Sequence, residues 1–293
     1  MSMKQSNSKL EILREIKTHE KIPNICTLGA ISESTYFCKY LDVYGFYKCI
    51  ENQSILFKEP CGWNDSYESK LYCADYSKVG LKDKDIKRIY ACCVTDKLSS
   101  EASWKAYLSF DENKDDKKKE KDTRLKQYAV MMKFNSNEFR MELSKAIINQ
   151  NLKLYEGRVK YVDVKLINDL GIRNSKINNI MFKATNTDKV YGSFLSSLLL
   201  KRLTFNYEKE TRFFIEDKNE ERSMSHNDAK SKILNGISWD TLIKEVVVCP
   251  TCPNELFKEI KKKCKNAGIS NVRKSRLYLQ SNQRFQISGS NKI

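Results

Sequence analysis

The stretch KRLTFNYEKETRFFIE, residues 201–216, decides how the chain is read. It follows an apolar run, Phe194–Leu200, and then alternates. Phe205, Tyr207, Lys209, Thr211 and Phe213 fall in one phase, Asn206, Glu208, Glu210 and Arg212 in the other. Side chains of a strand alternate between faces, so the pattern predicts one strand presenting Glu208, Glu210 and Arg212 together. Two carboxylates and a guanidinium on an apolar-backed strand are either paired on a solvated face or recruited for chemistry. Residue physics leaves both readings open, with the solvated pair the plainer.

Outward from this stretch, periodicity and turn residues predict the other elements. Lys9–Lys17 reads as an amphipathic helix and Thr18–Ile31 as a loop. Thr35–Tyr40, Ser54–Lys58, Ile86–Thr95, Tyr128–Phe134, Gly157–Val162, Glu245–Val248 and Asn271–Leu279 read as strands. Helices are predicted over Val43–Glu51, Ser99–Leu108, Ser136–Ile148, Lys176–Phe182, Lys189–Leu200 and Asn254–Ala267. Cys61–Ser69 reads as a polar loop with a turn at Asn64-Asp65, where an Asx-turn capping a helix is the plain account. Asp111–Asp122 and Asp217–Asp228 read as solvated loops. There is no regular βαβ alternation and no GxGxxG or GxxxxGK[ST] loop. The expected fold class is therefore α+β, a mixed, mainly antiparallel sheet core with flanking helices. Residues 1–30 are expected to be an N-terminal helix and loop, 31–280 one domain, and 281–293 a flexible tail.

The 293 residues are 40% hydrophobic and 31% charged, a composition suited to a soluble globular protein. No run approaches the ~18 apolar residues of a membrane span. The opening MSMKQSNSKLEILREIK has charges throughout and no apolar core, so no membrane association and a cytoplasmic location are expected. The ten cysteines are then expected to be reduced thiols. The single CxxC, Cys249–Cys252, lacks the partners of a zinc site and reads as a strand-to-helix turn, so no metal is expected. The formal charge of +16 favours a polyanionic partner, RNA or DNA. With only two histidines, His19 and His226, histidine-based acid–base chemistry is not expected.

Several stretches, taken in order, resemble a bacterial family known as domain of unknown function 2971. They are Lys39-Tyr40, SILF at residues 54–57, Asn64-Asp65-Ser66-Tyr67-Glu68, Cys93-Val94-Thr95, Trp104 with Tyr107, and Lys201, Phe205 and Tyr207-Glu208-Lys209-Glu210-Thr211-Arg212. The resemblance spans about residues 35–280. Serine stands at position 66 where the family pattern has proline. More distantly, the order of a basic residue on an early strand, a hydroxyl ending a middle strand and Glu-x-Glu on a late strand resembles the ADP-ribosyltransferase superfold.

That resemblance implies NAD as substrate and a protein or nucleic-acid acceptor, in a toxin or anti-phage defence effector. Carried over residue by residue, Lys39 would face the phosphate or nicotinamide-ribose side of NAD and Thr95 would support the nicotinamide pocket. Glu210 would stabilise the oxocarbenium-like transition state, with Glu208 activating the acceptor. Tyr40, Trp104 or Tyr107 would stack on nicotinamide. Lys201 or Arg212 would meet the pyrophosphate. Asn64, Asp65 and Glu68 would line the same pocket. Two alternatives stand beside this reading: a non-catalytic basic nucleic-acid-binding module, and a metal-dependent nuclease using Asp65, Glu68, Glu208 and Glu210.

Overall fold

The computed structural model describes residues 16–19, 22–97, 101–107, 124–148, 150, 152–171 and 187–277. The strands are β1 (Ile16–Thr18), β2 (Ile25–Leu28), β3 (Tyr36–Asp42), β4 (Ser54–Lys58), β5 (Lys87–Thr95), β6 (Ala129–Asn135), β7 (Leu152–Arg158), β8 (Lys160–Val162), β9 (Leu200–Arg202), β10 (Glu210–Glu221), β11 (Ser231–Asn235), β12 (Ile243–Val248) and β13 (Val272–Lys274). Eleven of them form one sheet along the path β1-β2-β7-β10-β5-β3-β6-β12-β13, with β4 joined to β5 and β11 to β4; β8 and β9 pair separately. Apart from the parallel pairs β2–β7, β12–β13 and β8–β9, neighbours run antiparallel. The chain is α+β, as expected.

β10 lies between β5 and β7, and its residues are buried from Glu210 to Asp217. Its alternation feeds two cores. Phe213 points to one face, with Phe37 and Phe139 at ring separations of 5.9 and 5.3 Å. Phe214 belongs to the other, with Tyr155 and the helix Thr187–Ser197 through Phe194. Burying rings of this size stabilises each face by roughly 1.5–3 kcal/mol per side chain. Glu210, Arg212, Phe214 and Glu216 share the second face.

The stretch 201–216 is not one strand. β9 ends at Arg202, Leu203–Glu208 forms a 3-10 turn, and Lys209 takes the left-handed conformation (φ 47°) before β10 begins at Glu210. Apolar alternation in LTFNYE looks the same in a strand and in a short turn that lays Phe205 and Tyr207 side by side, their rings 6.4 Å apart. Glu208 therefore does not share a strand face with Glu210 and Arg212. Four further expectations are corrected. Thr18–Ile31 contains β2, which pairs with β7 in the main sheet, and Ile16–Thr18 is a strand where the helix Lys9–Lys17 was expected to end. β10 continues to Glu221, five residues into the expected loop Asp217–Asp228. Within Asn271–Leu279 the strand covers Val272–Lys274, residues 275–277 lie beyond it, and 278–279 fall outside the described residues. The expected elements Asp111–Asp122, Lys176–Phe182 and 281–293 lie outside the described residues.

Candidate functional site

The Arg212 guanidinium is the centre of the second face, 1% exposed. Its strand position sets it beside Glu210, and it grips both Glu210 oxygens, Nε to Oε1 at 2.8 Å and Nη2 to Oε2 at 3.2 Å. Nη1 donates to the Leu198 carbonyl and Nη2 also to Glu68. The Trp63 ring covers it at 4.4 Å. Gly157 lies across from Arg212 on β7. A side chain there would run into Leu199, beside the carbonyl that Arg212 holds.

Glu68 arrives on the short helix Ser66–Tyr72. Asp65 caps that helix, its Oδ1 accepting from the Tyr67 N–H at 2.9 Å, so the Asx-turn expected at Asn64-Asp65 is present. Asn64 itself is exposed. Lys201, from β9, donates to Glu210 at 3.1 Å and to Glu208. The 3-10 turn thus returns Glu208 to the cluster that the predicted strand would have placed it in. Thr95, paired with Glu210 across β5 and β10, donates its hydroxyl to the Glu208 carbonyl and accepts from the Lys97 N–H at 3.0 Å. Tyr161 accepts from the Glu210 N–H at 2.9 Å.

Three carboxylates, Glu68, Glu208 and Glu210, thus share two cations, Lys201 and Arg212, leaving 3 − 2 = one surplus negative charge. The two neighbouring glutamates respond in opposite directions. For Glu210, burial pushes the carboxyl up, but Arg212 and then Lys201 outweigh it and hold it well below the ordinary value. For Glu208, burial is the largest influence; Lys201 opposes it, Glu210 and Glu68 reinforce it, and the carboxyl is raised. Burial works against the Lys201 charge too, yet Glu210 and Glu68 raise its pKa. A carboxylate fixed as an anion beside one that gains a proton readily is the pattern of a divided acid–base pair.

The remaining expected residues are placed apart. Phe37 touches Phe213, so Lys39, two residues on along β3, faces the first core, away from Glu210. Its ammonium bonds the Cys92 thiol and the Cys93 carbonyl, both at 3.2 Å. Tyr40 and Trp104 pack edge to face at 5.1 Å within the apolar core. Tyr107 ends the helix Glu101–Tyr107, and its side chain lies outside the described residues. Cys249–Cys252 is a strand-to-helix turn ahead of Asn254–Asn266, and all ten cysteines are free thiols. Among the described residues no group of three or more His, Cys, Asp or Glu side chains is arranged to hold a metal, and no helix is long and apolar enough to cross a membrane.

Sequence reasoning missed Arg202, which bonds Asp65 at 3.2 Å and has the Tyr67 and Phe205 rings each 5.0 Å from its guanidinium. The aromatics of the 3-10 turn were the available signal. It was obscured because the turn read as strand. No protein-family model, curated protein or solved structure matches the chain significantly.

Proposed function

We propose that the chain is an ADP-ribosyltransferase-like enzyme that cleaves the bond between nicotinamide and ribose in NAD and passes the ADP-ribosyl group to an oxygen nucleophile of a protein or nucleic acid. One observation carries the reading: a surplus anionic charge in a buried cluster, divided between a fixed Glu210 and a partly buried Glu208. Breaking the C1′–N bond leaves its electron pair on departing nicotinamide and positive charge on the ribose. A preorganised carboxylate stabilises that charge better than water does, because it needs no reorganisation. Glu210, which Arg212 and Lys201 cannot neutralise alone with Glu68 and Glu208 present, takes that role. The acceptor oxygen then bonds C1′, and its proton passes to Glu208. Thr95 acts indirectly, holding the backbone of the Glu208 turn. The sequence resemblance supports the same reading and, with it, a toxin or anti-phage role. Lys39 has no part in it.

Incubation with labelled NAD and cell extract tests this. Label transfer or nicotinamide release is expected, falling about 100-fold in Glu210→Gln, the scale seen when one charge-stabilising group is lost. Full activity in that variant would overturn it.

A second reading has its own observation. Helix Asn254–Asn266 exposes Lys258, Lys261, Lys262 and Lys265, a basic face suited to a nucleic-acid backbone. It predicts RNA or DNA binding whose affinity falls steeply with salt; a flat dependence would remove it.

A further inference from the structure

We propose that Arg202 is the docking point for the diphosphate of a nucleotide substrate, a role that rests on the NAD-cleaving reading of the adjoining cluster. Arg202 is the last residue of β9, next to Lys201, and the Phe205 ring serves both cations, 5.1 Å from the Lys201 ammonium and 5.0 Å from the Arg202 guanidinium. The Tyr67 ring lies 5.0 Å from the same guanidinium. Both rings lie within cation–π range of a side chain that remains 30% exposed.

Among the described residues only Nε is engaged by protein: it donates to Asp65 Oδ2 at 3.2 Å, while the other Asp65 oxygen caps the following helix. Among the described residues neither terminal nitrogen of Arg202 has an acceptor. A guanidinium flanked by two rings and anchored at Nε presents its remaining N–H groups as a fork, which suits two oxygens of a phosphate. Little conformational freedom is left to lose on binding. Lys201 and Arg212, the cations singled out in the sequence for pyrophosphate, are instead held by the carboxylates. Among the described residues, Arg202 is a cation beside the cluster that keeps both terminal nitrogens for an anion. Asp65 both orients Arg202 and caps the helix that delivers Glu68, so the anion site and the acidic cluster share one framework.

The test measures binding and turnover separately on the full chain, at about 150 mM salt so that loose surface attraction is screened. Inorganic pyrophosphate and ADP are titrated into wild type, Arg202→Gln and Arg202→Lys. Both probes are expected to bind wild type, to lose at least about tenfold in affinity in Arg202→Gln, and to recover only partly in Arg202→Lys, which keeps the charge but not the fork. No binding to wild type, unchanged affinity in Arg202→Gln, or complete recovery in Arg202→Lys would each overturn the assignment. So would a short RNA oligonucleotide binding through Arg202 while pyrophosphate does not. The parent reading fails separately. If nicotinamide release occurs with an unchanged KM in Arg202→Gln, Arg202 is wrongly assigned and the NAD reading stands. If pyrophosphate binding depends on Arg202 while Glu210→Gln leaves NAD untouched, the anion site stands and the chemistry falls.

Discussion

Arg212 holds three parts of the chain with one side chain: Glu210 on its own strand, Glu68 on the short helix and the Leu198 carbonyl ahead of β9. Its removal leaves buried carboxylates without their cation. Arg212→Met is expected to cost about 3–5 kcal/mol of stability, the usual penalty for breaking a buried pair from one side; urea unfolding reads it directly. Glu210 gives a pH signature. Its folded pKa is depressed, so its contribution is complete above the ordinary carboxylate value of about 4.3 and is lost as pH falls through the folded value. Glu210→Gln should flatten the fall in stability between pH 7 and acid. Glu208, raised rather than depressed, acts as a base only when ionised, so turnover should rise with pH through a limb above the ordinary carboxylate range. A limb at or below that range would remove Glu208 from the role. Part of this was legible in the sequence. Glu210 and Arg212 are two apart on a strand, and Asn64-Asp65 announces a capped turn. The bond from Lys201 to Glu208 was not, because it depends on a turn whose residues imitate a strand.

That turn is the main lesson at the level of elements. Most helices and strands follow from periodicity: Val43–Glu51 and Ser54–Lys58 have their expected limits, and Ser136–Ile147 is capped by Asn135. The break at Lys209 carried no signal, since lysine does not announce a left-handed backbone as glycine does. Lys209→Gly should be tolerated, whereas Lys209→Val should cost about 1–2 kcal/mol, because a β-branched side chain is strained at positive φ. Gly157 has the opposite requirement, for space rather than conformation. Gly157→Ala presses on the fully buried Leu199 and should lower stability by about 1–3 kcal/mol, with a matching drop in Tm. Any loss of turnover beyond that of the folded fraction would show that the Leu198 carbonyl positions Arg212.

At the scale of the molecule, a large sheet separates two faces that the sequence could not tell apart. Phe37 and Lys39 share a parity in TYFCKY, which places them together, but nothing in that segment says which side of β10 they meet. Only the order β10-β5-β3 settles that Lys39 faces away from Glu210. Long-range pairing of this kind joins residues far apart in the chain, such as Thr211 with Val94 and with Arg158, and local patterning does not encode it. The N-terminal strands were missed for the same reason, as β2 is completed by β7. In the proposed reaction one acidic cluster on the second face breaks the nicotinamide–ribose bond. That step is tested most directly by nicotinamide release from NAD, measured for wild type and Glu210→Gln at matched folded concentration, with the proposed acceptor source present. The account predicts release by wild type and a loss of about 100-fold in the variant; equal release by the two proteins would contradict it.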